Sequence, residues 1–193
     1  MAVIVASGHR RSFERRQPNA LIQRKAGSTG GAQHRRTTRE QGTDMGAVFK
    51  HVLVATDGSV LADAALALAH RLGHDGRVTA LLVAKDYGLA GYVKAAVQGH
   101  PDARQLREDI VAEGGRQLAA AIERAIGADV AIERRVVLSD QAPCHEIIAT
   151  ANREGCDLII MASHGLGGRL AGVVGSQCQA VLAMASVPVL VAR

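Results

Sequence analysis

The sequence predicts an α/β fold, a five-stranded parallel sheet with helices on both faces, and three observations carry that expectation. Five short aliphatic runs, residues 49–56, 77–84, 130–138, 157–162 and 188–192, alternate with segments of helical periodicity. Strands that are apolar almost continuously, rather than at every second residue, are those buried on both faces, as in parallel sheets. The composition is 48% hydrophobic with two Phe, two Tyr and no Trp, so the core must be built from aliphatic side chains. Finally, 193 residues suit one domain with a substantial core and are too few for two. Right-handed crossovers then make a doubly wound sandwich the economical topology.

Residues 1–46 stand apart. They are rich in Arg, Gln, Gly and Thr, with the pairs Arg10-Arg11, Arg15-Arg16 and Arg35-Arg36 and the turn-forming run Gly27-Ser28-Thr29-Gly30-Gly31. Such composition buries too little apolar surface to offset the entropy of ordering, so this leader is expected to be disordered. Through residue 48 there are nine Arg or Lys against three acids, Glu14, Glu40 and Asp44. Of the total charge of +5, that leaves −1 for residues 49–193. A basic arm for nucleic acid or an anionic surface, an Arg-rich targeting segment, and a natural start at Met45 are three readings of the leader, the last of them favoured. A secretory signal is not among them, because no apolar core segment is present.

The domain, expected over residues 47–193, opens with the run Phe49 to Thr56, and Asp57-Gly58-Ser59 is a turn signal. Val60 to Gly73 reads as a helix with Leu61, Ala65, Leu68, Ala69 and Leu72 on one face, Ser59 as N-cap and Gly73 as terminator. After a strand over 77–84, residues 85–102 read as an irregular connection containing Gly88, Gly91, Gly99 and Pro101. Leu106, Ile110, Leu118, Ala121, Ile122 and Ala125 mark a long helix over 103–126, closed by Gly127. A strand over 130–138, a helix over 143–154, a strand over 157–162 and a helix over 176–185 follow. The last strand begins at Pro188, where a missing N–H is tolerated.

No apolar run of roughly 18 residues occurs, so no membrane span is expected. Cys144, Cys156 and Cys178 are odd in number and lack CxxC spacing, which argues against a disulfide framework or zinc site and suits a reducing cytoplasm.

The chemistry concentrates in Met161-Ala162-Ser163-His164-Gly165-Leu166-Gly167-Gly168 and on to Gly175-Ser176, where an apolar strand stops at glycines and a helix begins behind them. Glycines let a backbone approach a ligand closely, and a helix start offers unpaired N–H groups to an anion. A flexible loop before a capped helix is the equally available reading of this stretch alone. It is neither a Walker A loop, lacking Gly-Lys-Ser/Thr, nor GxGxxG, since Leu170 stands three after Gly167. In a doubly wound sheet, ligands sit beyond the carboxyl ends of the strands at the point where strand order reverses. Asp57 and the glycine stretch face one cleft if their strands are neighbours.

These motifs resemble the universal stress protein family, whose nucleotide-binding members carry Gly-x2-Gly-x9-Gly-Ser/Thr after the fourth strand. Here the pattern is Ala162-x2-Gly165-x9-Gly175-Ser176, with Ala in place of the first glycine. The similarity runs from Val52-Leu53-Val54-Ala55-Thr56-Asp57-Gly58-Ser59 to Val187-Pro188-Val189-Leu190-Val191. It implies a Rossmann-like fold of the adenine nucleotide alpha hydrolase type, with strand order 3-2-1-4-5. It also implies Asp57 as the acidic partner of an adenosine, Thr56 in the same pocket, and Val83 beside the adenine. Ala162, Gly165, Gly168, Gly175 and Ser176 fall in the phosphate cradle. Asp57 as a simple turn cap and Ser176 as a simple N-cap are the structural alternatives. Arg169 is read as a loop charge and His164 as non-catalytic.

The resemblance implies a cytoplasmic stress-response regulator that binds ATP, with or without Mg2+, and forms a homodimer through Pro188 to Ala192. The alternative is a nucleotide-free dimerising module. Slow ATP hydrolysis or self-phosphorylation is a lesser expectation, since no base or water-positioning residue is evident, and a nucleic-acid role rests on the leader alone.

Overall fold

A computed structural model describes residues 4–6, 48–99, 102–164 and 174–193. Strands β1 (Ile4–Ala6), β2 (His51–Ala55), β3 (Arg77–Lys85), β4 (Glu133–Ser139), β5 (Leu158–Ala162) and β6 (Val189–Ala192) form one sheet in the order β1-β6-β5-β2-β3-β4. The last five run parallel to one another. Counted without β1, this is the expected 3-2-1-4-5 order.

Alternation along β2 builds two core layers, because successive strand side chains point to opposite faces. Val52 and Val54 pack with Leu66, Ala69 and Leu118 under α1 (Asp63–Leu72) and α3 (Ala103–Ile126). Leu53 and Ala55 pack with Ile147, Ile159 and Val181 under α4 (Pro143–Glu154) and α5 (Ser176–Met184). Every residue of β2 is buried, and each fully buried leucine contributes about 1.5–3 kcal/mol.

Asp157 fixes the start of the β2–β5 pairing. Its two carboxylate oxygens accept from the N–H groups of Lys50 (2.8 Å) and His51 (3.1 Å). The register that follows sets Ala55 beside Met161 on one side and Leu81 on the other. Thr56, Asp57, Val83 and Ala162 therefore emerge together at the carboxyl edge.

Four expectations are corrected. The leader is not wholly without structure: Ile4–Ala6 pairs antiparallel with β6, Ile4 opposite Val191 and Ala6 opposite Val189. This short apolar, partly β-branched run meets an otherwise unpaired edge of backbone N–H and C=O groups. Residues 7–47, with the Met45 start, lie outside the described residues. The irregular connection contains a helix, α2 (Gly88–Val97), whose entry and exit use the left-handed backbone of Gly88 (φ 65°) and Gly99 (φ 79°). The first helix starts at Asp63, after a 3-10 turn over Val60–Ala62 that leaves Leu61 58% exposed, and Leu66 supplies the core contact instead. The third predicted strand starts at Glu133 rather than Val130 because Ile132 N–H closes a turn on Val130 C=O (2.9 Å).

Candidate functional site

The chain leaves β2 for β3 on one side of it, while β5 lies on the other. Strand order reverses between β2 and β5, so the loops that follow them diverge and leave a crevice at the carboxyl edge. A cavity of about 490 Å3 occupies it, lined by Thr56, Asp57, Val83, Ala162, Gly175 and Ser176 among others.

The turn after β2 is held from within. Thr56 N–H continues the ladder to Leu81 C=O (3.0 Å), and its hydroxyl accepts from Gly58 N–H (3.1 Å). Asp57 Oδ1 accepts from Ser59 N–H (3.1 Å), an Asx-type turn that suits an aspartate two residues before a helical turn. Gly58 has φ 77°, a conformation that disfavours side chains. Ser59 is the N-cap by backbone geometry, yet its buried hydroxyl makes no cap bond, and Oγ has no partner among the described residues. The Asp57 carboxylate that closes this Asx turn is on an exposed residue and lines the cavity.

The opposite wall is made by two helix starts. Pro143 opens α4 and Ser176 opens α5, and both residues line the cavity. The N-cap of α5 is Gly175, extended at φ −61° and ψ 152°, not Ser176. The Ser176 hydroxyl therefore makes no side-chain cap, and the first-turn N–H groups of α5 have no intrahelical partners. Gly175 N–H donates to Ser163 C=O at 2.7 Å, and a Cβ on Gly175 would stand 3.2 Å from that oxygen. Among the described residues, Gly175 and the first-turn N–H groups of α5 are of the kind that can receive a phosphate group. Gln177 bridges the two helices, its Oε1 accepting from Cys144 N–H (3.1 Å) in the first turn of α4.

Six of the eight expected site residues thus meet around one cavity; Gly165 and Gly168, with Arg169, lie outside the described residues. Ser163, His164, Gln177 and Ile147 line the same cavity. His164 Nδ1 lies 3.1 Å from Ser163 Oγ. Sequence reasoning missed Gln177 and Ser163. The position after the Gly-Ser pair could have found Gln177; no pattern distinguishes Ser163 from any strand-end serine. Cys178 is buried in the wall, and burial pushes its thiol up to about 11, so it is not a ready nucleophile.

Two further polar clusters flank the sheet. Buried Asp86, at the end of β3, accepts from Tyr92 Oη (2.5 Å) and pairs with Arg107, and Arg107 lies 5.3 Å over the Tyr92 ring. The bonds from Tyr92 and then Arg107 hold the Asp86 carboxyl down at about 2. At the other end of the strands, donor atoms of His51, Glu154 and Cys156 lie within 4.8 Å of one another. The ring and carboxylate are engaged elsewhere: His51 Nδ1 donates to Glu154 C=O (3.1 Å), His51 Nε2 lies 2.9 Å from Thr79 Oγ1, and the Glu154 carboxylate faces Arg135 (3.2 Å) and Arg77 (4.0 Å). Two neighbouring guanidinium groups oppose a metal cation, so this network is structural.

Fold and cavity together define a doubly wound α/β domain with its cavity at the switch point. The chain belongs to the universal stress protein family, which matches residues 49–193. Universal stress protein YxiE of Bacillus subtilis (strain 168) is 27% identical over 156 residues, covering 76% of this chain and all of YxiE. Among solved structures, a universal stress protein family member from Burkholderia pseudomallei is 28% identical with a TM-score of 0.52, over 74% of this chain and 94% of that one. UspA from Lactobacillus plantarum shares the fold at a TM-score of 0.57, with 23% identity over 75% of this chain and 97% of its own. Among the described residues no helix is long and apolar enough to cross a membrane.

Proposed function

We propose that this chain binds ATP or a related adenine nucleotide in the crevice between β2 and β5 and serves as a stress-response regulator. The observation that carries this reading is the convergence of the Asp57 carboxylate and the start of α5 on one cavity of about 490 Å3. Asp57 accepts hydrogen bonds from the adenosine half, and Val83, with Leu81 and Ile147, supplies an apolar surface for the base. Gly175, without a side chain, gives the phosphates room, and Ser176 with the other first-turn N–H groups of α5 gives them hydroxyl and backbone donors, while Mg2+ would share their charge. Bound nucleotide ties the β2 turn to α5 and so changes the surface offered to partners.

A thermal-shift titration tests the assignment. ATP with Mg2+ should raise Tm progressively, as ligand binding to the folded state requires, and more than GTP does. No shift at millimolar ATP would refute it.

One observation favours a second reading, a nucleotide-free dimerising module. Ala162 lines the cavity where the nucleotide-binding pattern has glycine, and its methyl group occupies space that the pattern leaves open. In either reading a homodimer through Pro188 to Ala192 requires the β1 strand to leave the β6 edge, because Ile4–Ala6 pairs there.

A further inference from the structure

The turn that presents Asp57 is also held from outside by a residue 66 positions away in the chain. Arg124, in the last turn of α3, donates from Nη2 to Gly58 C=O at 3.1 Å. The same guanidinium grips the Asp63 carboxylate with both arms, Nε to Oδ2 and Nη2 to Oδ1, each at 2.6 Å. Asp63 opens α1 immediately after the 3-10 turn, and it is only 18% exposed. One planar group therefore ties the carbonyl of Gly58 to the beginning of α1 and anchors both to the end of α3.

We infer that Arg124 is a positioning residue for the adenosine half of the cavity, acting through Gly58 on the aim of Asp57. The inference rests on the nucleotide-binding reading above. Gly58 C=O and Ser59 N–H belong to one peptide unit, so the bond from Arg124 holds the same plane whose N–H donates to Asp57 Oδ1, while Gly58 N–H donates to Thr56 Oγ1. Those internal bonds fix the shape of the turn but not its tilt on the sheet. A bond from Gly58 C=O to a helix on one face of the sheet fixes the tilt. Glycine at 58, at φ 77°, has the widest conformational freedom in the chain's repertoire, so an external clamp matters most there. Lysine cannot replace the clamp, because only a rigid fork can hold a carboxylate bidentately and still present a donor to a third atom. Asp63 in turn fixes the rotamer of Arg124. Phosphate binding is not addressed by this device, since Gly175 and Ser176 stand at the start of α5 and the Arg124 bonds go to Gly58 and Asp63.

Isothermal titration of the full chain with adenosine and, separately, with inorganic tripolyphosphate separates the two halves of the site. R124A should weaken adenosine binding about tenfold, the equivalent of about 1.4 kcal/mol, and leave tripolyphosphate affinity unchanged. R124K should behave as R124A. D63N gives up the ion pair but keeps an amide oxygen that still holds the Arg124 rotamer and its donor to Gly58; it should lower Tm while keeping most of the adenosine affinity. If R124A binds adenosine as tightly as the unaltered protein, the positioning role is overturned and the nucleotide site stands. Equal losses for both ligands, tracking Tm, would reduce Arg124 to a stabilising surface contact and overturn the inference. Failure of the unaltered protein to bind adenosine would overturn the nucleotide reading itself, and this inference with it.

Discussion

The N–H of Gly175 donates to the C=O of Ser163 at 2.7 Å, closing the end of β5 onto the start of α5 across the base of the glycine segment. That single bond brings the two ends of the stretch from 163 to 175 together and sets where the first turn of α5 points. A Cβ on Gly175 would sit 3.2 Å from the same oxygen, close enough that the Ser163 backbone must yield by a few tenths of an ångström. Gly175→Val adds bulk on both sides of that contact. It should lower ATP affinity at least tenfold by calorimetry and destabilise the fold by about 1–3 kcal/mol in urea unfolding. Unchanged affinity would show that the phosphates do not approach this peptide.

Gln177 holds α4 to α5 through Cys144 N–H. Gln177→Ala removes an acceptor from the first turn of α4 and should cost about 1 kcal/mol of stability. Gln177→Glu puts a negative charge beside two helix starts, which favours the apo fold. The same charge repels an anionic ligand, so Tm without ligand should rise or hold while ATP affinity falls. Parallel changes of Tm and affinity would contradict the arrangement.

Asp86 carries a pH signature. Its carboxyl is lowered to about 2 in the folded chain from an ordinary value near 3.8, chiefly by Tyr92 and then by Arg107. A folded-state value below the unfolded one contributes stability that is complete above about 4 and is lost as pH falls towards 2. Tyr92→Phe removes the largest cause and should flatten the decline of stability between pH 4 and 2, measured by urea unfolding at each pH. An unaltered slope would place the acid lability elsewhere.

The β1–β6 pairing predicts an effect of the first residues on assembly. Deleting residues 1–6 exposes the edge of β6, and such an edge recruits another strand. Sedimentation velocity should then show more dimer than the full chain does at equal concentration. An identical distribution would mean that this edge is not where two copies meet.

Most of the sheet was legible because its strands are buried on both faces and read as unbroken aliphatic runs. The helices at Ala103–Ile126 and Pro143–Glu154 were legible to the residue, for local reasons. Asp102 accepts from two N–H groups at one start, Pro143 occupies the other, and Gly127 (φ 97°) and Gly155 (φ 67°) terminate them in backbone that favours glycine. Helix α2 was not legible: Gly88, Gly91 and Gly99 read as loop formers. What secures it is tertiary, the contact of Tyr92 and Arg107 with Asp86. Of the candidate site, the sequence singled out Thr56, Asp57, Val83, Ala162, Gly175 and Ser176, which line the cavity. Its supports were not legible, since Gln177 to Cys144 and Arg124 to Gly58 join residues 33 and 66 apart with no shared pattern.

Calorimetric titration of the full chain with ATP and Mg2+, repeated with Asp57→Ala, tests the central claim most directly. The expected result is saturable one-to-one binding that weakens about tenfold or more in the variant, the loss of at least one charge-assisted hydrogen bond. No heat at millimolar ATP, or equal affinity in the two proteins, would contradict an adenine-nucleotide site between β2 and β5.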